Sequence, residues 1–218
     1  MHYDLLIFDL DGTLVDSAPD LQHAVNQVLA EQGAEPLPLN DIRKMIGDGA
    51  AQLVARAFAA RSLELRDPQA ALQRFFHFYE ADPTANTILY DGVSDTLVAA
   101  ARRGFDMAVC TNKPQGPARV ILERLGVAGH FSAVVGGDTH AFRKPDPRML
   151  TLLLEQYGVA APRTLMVGDS EVDAATAHAA QVPFALMTYG YRRGAVTDIP
   201  CLAALDEFSQ LAPLIGAQ

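Results

Sequence analysis

The chain has 218 residues, half of them hydrophobic, so it can bury a sizeable core in one large domain or in one domain with an insertion. Its formal net charge of −9 argues against non-specific binding to nucleic acid or to an acidic membrane surface, because both need a basic protein surface. The first residues lack a signal-peptide pattern and no apolar run approaches a membrane span, so a cytoplasmic location is expected.

Short apolar runs alternate with helical patterns along most of the chain. The predicted strands are 5–8, 107–110, 133–135, 165–167 and 184–187. The predicted helices between or after them are 93–102, 118–125, 147–157 and 172–180. This alternation predicts an α/β fold with a Rossmann-like, doubly wound parallel sheet and helices on both faces.

One region interrupts the alternation with helical patterns alone. The predicted helices there are 21–31, 41–45, 50–60 and 68–80, separated by turn residues such as Gly33 and Pro36. A run of helices inside an α/β chain predicts an inserted domain. We therefore expect a core of residues 1–17 and 84–218 and an all-helical inserted domain of residues 18–83.

Two carboxylates follow the first predicted strand. Asp9 and Asp11 stand two residues apart directly after the run 5–8, and Gly12 follows them. In an open α/β sheet this strand end faces the crevice where ligands bind. One carboxylate can act there as a nucleophile while the other handles protons. Taken alone, the segment also fits a strand followed by an ordinary Asp-Gly turn.

Two further polar groups follow later strands. Thr111 and Asn112 come directly after the run 107–110, where a hydroxyl and exposed backbone N–H groups can bind an oxyanion. Lys144, before Pro145, is a compact charge suited to a phosphate or to crowded carboxylates. Each residue also fits a purely structural interpretation: the threonine could be a local helix cap, and the lysine could be a solvent-exposed surface charge.

An acidic segment follows the predicted strand 165–167. Asp169 stands where a metal ligand from a neighbouring strand would be needed, and Asp173 lies one helical turn further on, where it could brace a ligand or Lys144. Asp169 or Ser170 could equally be a plain helix N-cap. The coincidence of all these groups at successive strand ends favours an active site over a set of unrelated turns.

These motifs, in this order, resemble the four sequence motifs of the haloacid dehalogenase superfamily. The matching residues are Asp9-x-Asp11-Gly12-Thr13-Leu14-Val15-Asp16-Ser17, Thr111-Asn112-Lys113, Lys144-Pro145 and Gly168-Asp169-Ser170-x-x-Asp173. The helical insertion after the first motif resembles the helical cap of the first cap subclass of that superfamily. One departure is Gln181, at a turn before the strand 184–187 where relatives usually carry Gly.

The resemblance implies a phosphatase that works through an aspartyl-phosphate. Asp9 would be the nucleophile, and Asp11 would protonate the leaving oxygen and later deprotonate the attacking water. Mg²⁺ would be held by Asp9, by the backbone carbonyl of Asp11 and by Asp169. The remaining motif residues would bind the phosphoryl group (Thr111, Asn112 and Lys144) or support the metal ligands from behind (Ser170 and Asp173).

Within the superfamily, three segments are similar to those of bacterial phosphoglycolate phosphatases. They are Ile46-Gly47-Asp48-Gly49-Ala50, Leu89-Tyr90-Asp91-Gly92-Val93 and Thr188-Tyr189-Gly190-Tyr191. The cap segment with Gly47 and Asp48 is expected to face the substrate, although it also fits a plain turn between helices. Arg56 could pair with a substrate carboxylate, or lie on a solvated helix face.

Several alternatives remain open at this point. The substrate could instead be a sugar phosphate, a nucleotide or pyrophosphate, and a phosphoglucomutase-like enzyme would share the first motif. Asp11 disfavours a dehalogenase, and a cap with Lys44 as its only lysine disfavours a phosphonate hydrolase. A catalytically silent binding protein on the same fold would usually have lost one motif aspartate. Oligomeric state, monomer or homodimer, and the preference for Mg²⁺ over Mn²⁺ or Co²⁺ are not determined.

Overall fold

The computed structural model describes residues 2–216, in which strands and helices alternate on both sides of one inserted group of helices. The strands are β1 (Leu5–Phe8), β2 (Val15–Asp16), β3 (Ile88–Leu89), β4 (Asp106–Cys110), β5 (Ala133–Val135), β6 (Thr164–Gly168), β7 (Phe184–Met187) and β8 (Ala203–Leu205). The α-helices are α1 (Ala18–Glu31), α2 (Leu39–Arg43), α3 (Ala50–Ala60), α4 (Pro68–Ala81), α5 (Val93–Arg102), α6 (Gln115–Arg124), α7 (Arg148–Tyr157), α8 (Glu171–Ala179) and α9 (Leu211–Leu214).

Six of these strands form one sheet, in the order β5-β4-β1-β6-β7-β8, with every neighbouring pair parallel. The central strand β1 is buried on both faces, since Leu6 and Phe8 pack into one hydrophobic core while Leu5 and Ile7 pack into another. A parallel strand that is covered by helices on both sides has a continuous run of apolar residues in its sequence. The predicted α/β class with a doubly wound parallel sheet is confirmed.

Helices α1 to α4, called the helical unit below (residues 18–81), form a third hydrophobic core of their own. The chain enters and leaves this unit through the antiparallel pair β2 and β3, in which Val15 lies opposite Leu89. A buried carboxylate at the start of α1, Asp20, accepts hydrogen bonds from the exit segment, 3.0 Å from the Asn86 backbone N–H and 2.6 Å from the Thr87 hydroxyl. The two connections therefore leave the sheet side by side.

Some boundaries differ from the sequence-based expectations for identifiable reasons. Helix α6 begins at Gln115, before Pro117, because N–H groups of a first helical turn have no intrahelical partner and proline is tolerated there. Strand β8 was not predicted, since it has three residues and only Leu205 among them is buried. Cys110 is buried in β4. Among residues 2–216, no helix has the length and apolarity to cross a membrane.

The turn before β7 contains a residue in a strained conformation. Gln181 has φ +57°, in the left-handed region, and its side chain is exposed. For a residue other than glycine this conformation costs about 1–2 kcal/mol, partly offset by the greater chain entropy of glycine when unfolded. We expect Gln181→Gly to raise the free energy of unfolding by about 0.5–1 kcal/mol, measured by urea denaturation. Gln181→Ala keeps the strain, so an equal gain in that variant would contradict the explanation.

Candidate active site

The carboxyl ends of three neighbouring strands bring the predicted site residues together. Asp9 directly follows β1, Thr111 follows β4 and Asp169 follows β6, and β1 is the central member of this trio. Parallel strands end at one edge of the sheet, so residues more than 150 positions apart in sequence become neighbours. The hydroxyl of Thr13 donates a hydrogen bond to Asp169 over 2.8 Å, across a sequence separation of 156.

A buried cluster of three carboxylates and one ammonium group lies at this edge. Ligand oxygens of Asp9, Asp169 and Asp173 all lie within 4.8 Å of one another. The Nζ of Lys144 is 2.7 Å from an oxygen of Asp9 and 2.6 Å from an oxygen of Asp173. The Lys144 side chain is 2 % exposed, so water screens these contacts very little.

The loop that carries Asp169 is held by the side chain of Asp173. The carboxylate of Asp173 accepts hydrogen bonds from the backbone N–H of Asp169 at 3.2 Å and from the N–H and hydroxyl of Ser170 at 3.1 and 2.7 Å. Ser170 in turn caps α8, since its hydroxyl accepts from the backbone N–H of Asp173 at 3.3 Å. One side chain, Asp173, thus fixes both the loop and the lysine.

Glycines let the backbone approach Asp169 closely. A Cβ atom on Gly12, whose φ is +89°, would lie 2.4 Å from a carboxylate oxygen of Asp169. A Cβ on Gly190 would lie 2.3 Å from the Cβ of Asp169, and the backbone N–H of Tyr191 next to it donates to that carboxylate. A larger side chain at either glycine would displace the aspartate.

Negative charge in the cluster exceeds positive charge, and the pKa values of its carboxyl groups reflect this. Burial, opposed by the charge of Lys144 and reinforced by that of Asp173, raises the pKa of Asp9 from 3.8 to about 7. Burial and the neighbouring charges of Asp173 and Asp9 also raise the pKa of Asp169 well above its usual value. Three oxygen-donor side chains with one cation between them fit a small divalent cation, which would restore the charge balance.

Asp11 lies in different surroundings from Asp9, next to a second buried lysine. The Nζ of Lys113 is 3.0 and 3.1 Å from the two carboxylate oxygens of Asp11, and the hydroxyl of Ser17 donates to one of them at 2.5 Å. Burial by itself would lower the pKa of Lys113, but the charge of Asp11 together with the contacts of Lys113 with Tyr79 and Asp11 outweighs burial and raises this pKa above its usual value. Lys113 is therefore a permanent cation beside Asp11.

A cavity opens above Asp9 and Asp11 and separates the sheet edge from the helical unit. The sheet side contributes polar groups, and the helical unit contributes mainly apolar ones. Its lining residues are Asp9, Asp11, Thr111, Asn112, Lys113 and Pro114 from the sheet side, and Leu21, Ile46, Gly47, Gly49, Ala50, Leu53, Phe75, Phe76 and Tyr79 from the helical unit. A small polar molecule would have its reacting group held at the sheet edge and the rest covered by the helical unit.

Asn112 connects the two sides of the cavity. Its side-chain amide donates to the backbone carbonyl of Gly47, at 2.9 Å, and to that of Lys144, at 3.0 Å. The neighbouring Thr111 hydroxyl accepts a hydrogen bond from the backbone N–H of Lys113 at 3.2 Å. Asn112 thus links the helical unit to the loop that carries Lys144.

Two residues proposed from the sequence for substrate contact have protein partners instead. The guanidinium of Arg56 donates to the carboxylate of Asp48 and to the backbone carbonyl of Met45. Asp48 is also paired with Arg193, from the loop after β7, which lies 2.7 Å from Glu171 as well. Of the predicted cap segment, Gly47 lines the cavity, whereas Asp48 ties the helical unit to the core.

Sequence reasoning assigned no function to several residues that the structure brings to the site. Lys113 and Thr13 belong to the recognised motifs, so their positions in the sequence already indicated that they lie near the site. Tyr79 lies far from the motifs and Arg193 lies two residues after the segment 188–191, and nothing in the sequence indicates that they would meet Lys113 and Asp48.

The fold and the arrangement of the four motifs at the sheet edge define a known class of hydrolase. Residues 6–187 match the model of the haloacid dehalogenase-like hydrolase family, and the chain belongs to that family. It is an enzyme of the phosphoric monoester hydrolase class.

Relatives named phosphoglycolate phosphatase are similar to the chain over nearly its whole length. One from Rhodospirillum rubrum is 50% identical over 217 residues, covering 97% of this chain and 90% of the relative. Another from Cereibacter sphaeroides is 46% identical and covers 96% of each chain. A crystal structure described as a predicted phosphoglycolate phosphatase from Haemophilus somnus superimposes with a TM-score of 0.94, at 30% identity and 98% coverage of both chains.

Proposed function

We propose that this enzyme hydrolyses 2-phosphoglycolate to glycolate and phosphate through an aspartyl-phosphate on Asp9. The observation that carries the proposal is the different surroundings of the two carboxylates that line one cavity: Asp9 contacts Lys144 and Asp11 contacts Lys113. Two carboxylates held apart in this way can take the separate roles of nucleophile and proton donor. The names of the relatives at 50% and 46% identity support this substrate.

The chain's own residues would carry both steps. An Asp9 oxygen attacks phosphorus and forms a new P–O bond while the bond to the leaving oxygen breaks, and Asp11 gives that oxygen its proton. In the second step Asp11 takes a proton from water, the water oxygen bonds to phosphorus, and the bond to Asp9 breaks. Lys144 favours the ionised form of Asp9 and, with Thr111 and Asn112, holds phosphoryl oxygens.

Mg²⁺ fits this cluster, with Asp9, Asp169 and the backbone carbonyl of Asp11 as its proposed ligands. Bound there, it would neutralise phosphoryl charge so that an anionic carboxylate can approach an anionic substrate. Asp173 and Ser170 would hold the Asp169 loop and Lys144 in place through the hydrogen bonds described above.

We also infer that residues 18–83 act as a cap on a core formed by residues 1–17 and 84–218. The contacts of Asn112 with Gly47 and of Arg193 with Asp48 bring this cap against the sheet edge. In this position its apolar side chains would exclude bulk water from the reacting phosphoryl group.

Phosphate release from a panel of compounds tests this proposal. With Mg²⁺ present, we expect kcat/KM for 2-phosphoglycolate to exceed that for sugar phosphates, nucleotides and pyrophosphate by at least about tenfold, or about 1.4 kcal/mol of transition-state binding. EDTA should abolish release, and added Mg²⁺ should restore it.

Two other results would change the assignment. Comparable turnover of another compound would keep the aspartyl-phosphate chemistry and move the substrate to that class. If nothing in the panel released phosphate with Mg²⁺, the phosphatase proposal would fail, and conversion between sugar phosphates would then test a mutase.

A further inference from the structure

We infer that Lys113 is the residue that selects substrates with a carboxylate next to the phosphoester oxygen. This inference rests on the proposed function and extends it, because it assigns the preference for phosphoglycolate over neutral phosphate esters to one side chain. Among the described residues that line the cavity, Lys113 is the one cationic side chain. Its side chain is 4 % exposed, so its charge acts on the cavity with little screening by water.

The position of Lys113 places it beside the leaving group. Its Nζ lies 3.0 Å from Asp11, and Asp11 must lie within hydrogen-bond reach of the leaving oxygen to protonate it. In phosphoglycolate a single methylene separates that oxygen from the carboxylate. A carboxylate so close to Asp11 comes within reach of the ammonium group that contacts Asp11.

A cap residue confines the ammonium group on its other side. The Nζ of Lys113 lies 4.8 Å from the centre of the Tyr79 ring, which is stacked on Phe75 with 5.7 Å between ring centres. The ring attracts the cation by its negative face and offers no anionic partner. Among the described residues Asp11 is the carboxylate in contact with Lys113, and a substrate carboxylate beside Asp11 would be a second anion within reach of the same ammonium group.

Four other cations near the site already have carboxylate partners, and Arg143, near Gly49, is exposed and does not line the cavity. Arg43 lies 2.9 Å from Asp16, and Arg56 and Arg193 share Asp48. Lys144 contacts Asp9 and Asp173 at the phosphoryl end of the site. The side chains that the helical unit contributes to the cavity are mainly apolar, so Lys113 is the charged partner that the cavity offers to a substrate carboxylate.

The test compares 2-phosphoglycolate with ethyl phosphate, which has a methyl group in place of the carboxylate. For Lys113→Met we expect kcat/KM to fall about 10- to 100-fold more for phosphoglycolate than for ethyl phosphate. Lys113→Arg, which keeps the positive charge, should retain most of the preference. Lys113→Gln serves as a second neutral variant if Lys113→Met fails to fold, which thermal unfolding will reveal.

The outcomes separate three cases. Equal losses for both esters would overturn the inference, because Lys113 would then act on Asp11 alone. No loss for either ester would also overturn it, because the preference would then come from other groups that line the cavity. A wild-type enzyme with no preference between the two esters would count against the proposed substrate itself, before any variant is made.

Discussion

Replacing Asp9 with Asn is expected to lower the rate of phosphate release by at least about 10⁴-fold, since loss of a catalytic nucleophile has effects of this size or larger. A neutral amide does not attack phosphorus, and the variant keeps the shape of the side chain. The measurement is kcat with Mg²⁺ and 2-phosphoglycolate, together with thermal unfolding to show that the fold persists. Asp9→Ala serves as a second variant, because asparagine can hydrolyse back to aspartate.

A matched change elsewhere controls for the loss of one carboxylate. Glu64→Gln removes an exposed carboxylate that lies 2.8 Å from Arg66 on the surface, so its turnover should stay near that of the native enzyme. Acid quenching during turnover should trap a phosphorylated Asp9 in the native protein, detected by mass spectrometry, and none in Asp9→Asn. Activity of Asp9→Asn within tenfold of native would contradict the nucleophile assignment.

Replacing Lys144 with Met is expected to destabilise the fold by about 3–5 kcal/mol and to remove most activity, because it leaves buried carboxylates unpaired. The lost contacts are those of 2.7 Å to Asp9 and 2.6 Å to Asp173. Urea denaturation without Mg²⁺ measures the free energy of unfolding. The double variant Lys144→Met, Asp173→Asn removes one of the unpaired charges and should lose less stability than the sum of its single variants.

The same substitution should make stability more sensitive to pH. In the native fold burial raises the pKa of Asp9 from 3.8 to about 7, so the folded state binds more protons in that window and stability falls as pH rises through it. Without Lys144 the folded-state pKa rises further. The stability lost by Lys144→Met should therefore be larger at about pH 8 than at about pH 5. Equal losses at both pH values would show that the contacts of Lys144 contribute through packing and not through charge.

The sequence by itself determined the fold class. Strand β1 and the strands beside it are buried on both faces, so they read as unbroken apolar runs, and amphipathic helices between them required a parallel sheet. The helical unit was visible in the same way, as a stretch of helical periodicity with no strand in it. The strand pair β2–β3 and the edge strand β8 were not predicted from the sequence, because a strand of two or three residues is too short to show an alternating pattern of apolar and polar residues.

The sequence also indicated which residues form the candidate site, since each motif follows a strand and parallel strands end at one edge. Only the tertiary structure decided which groups contact one another. Lys113 meets Asp11 across 102 residues, and Arg193 meets Asp48 across 145. The first contact depends on the pairing of β4 with β1, and the second depends on how the helical unit sits against the sheet; local propensity encodes neither. The sequence therefore determined which side chains lie at the sheet edge, while the tertiary packing decided which charges contact one another there.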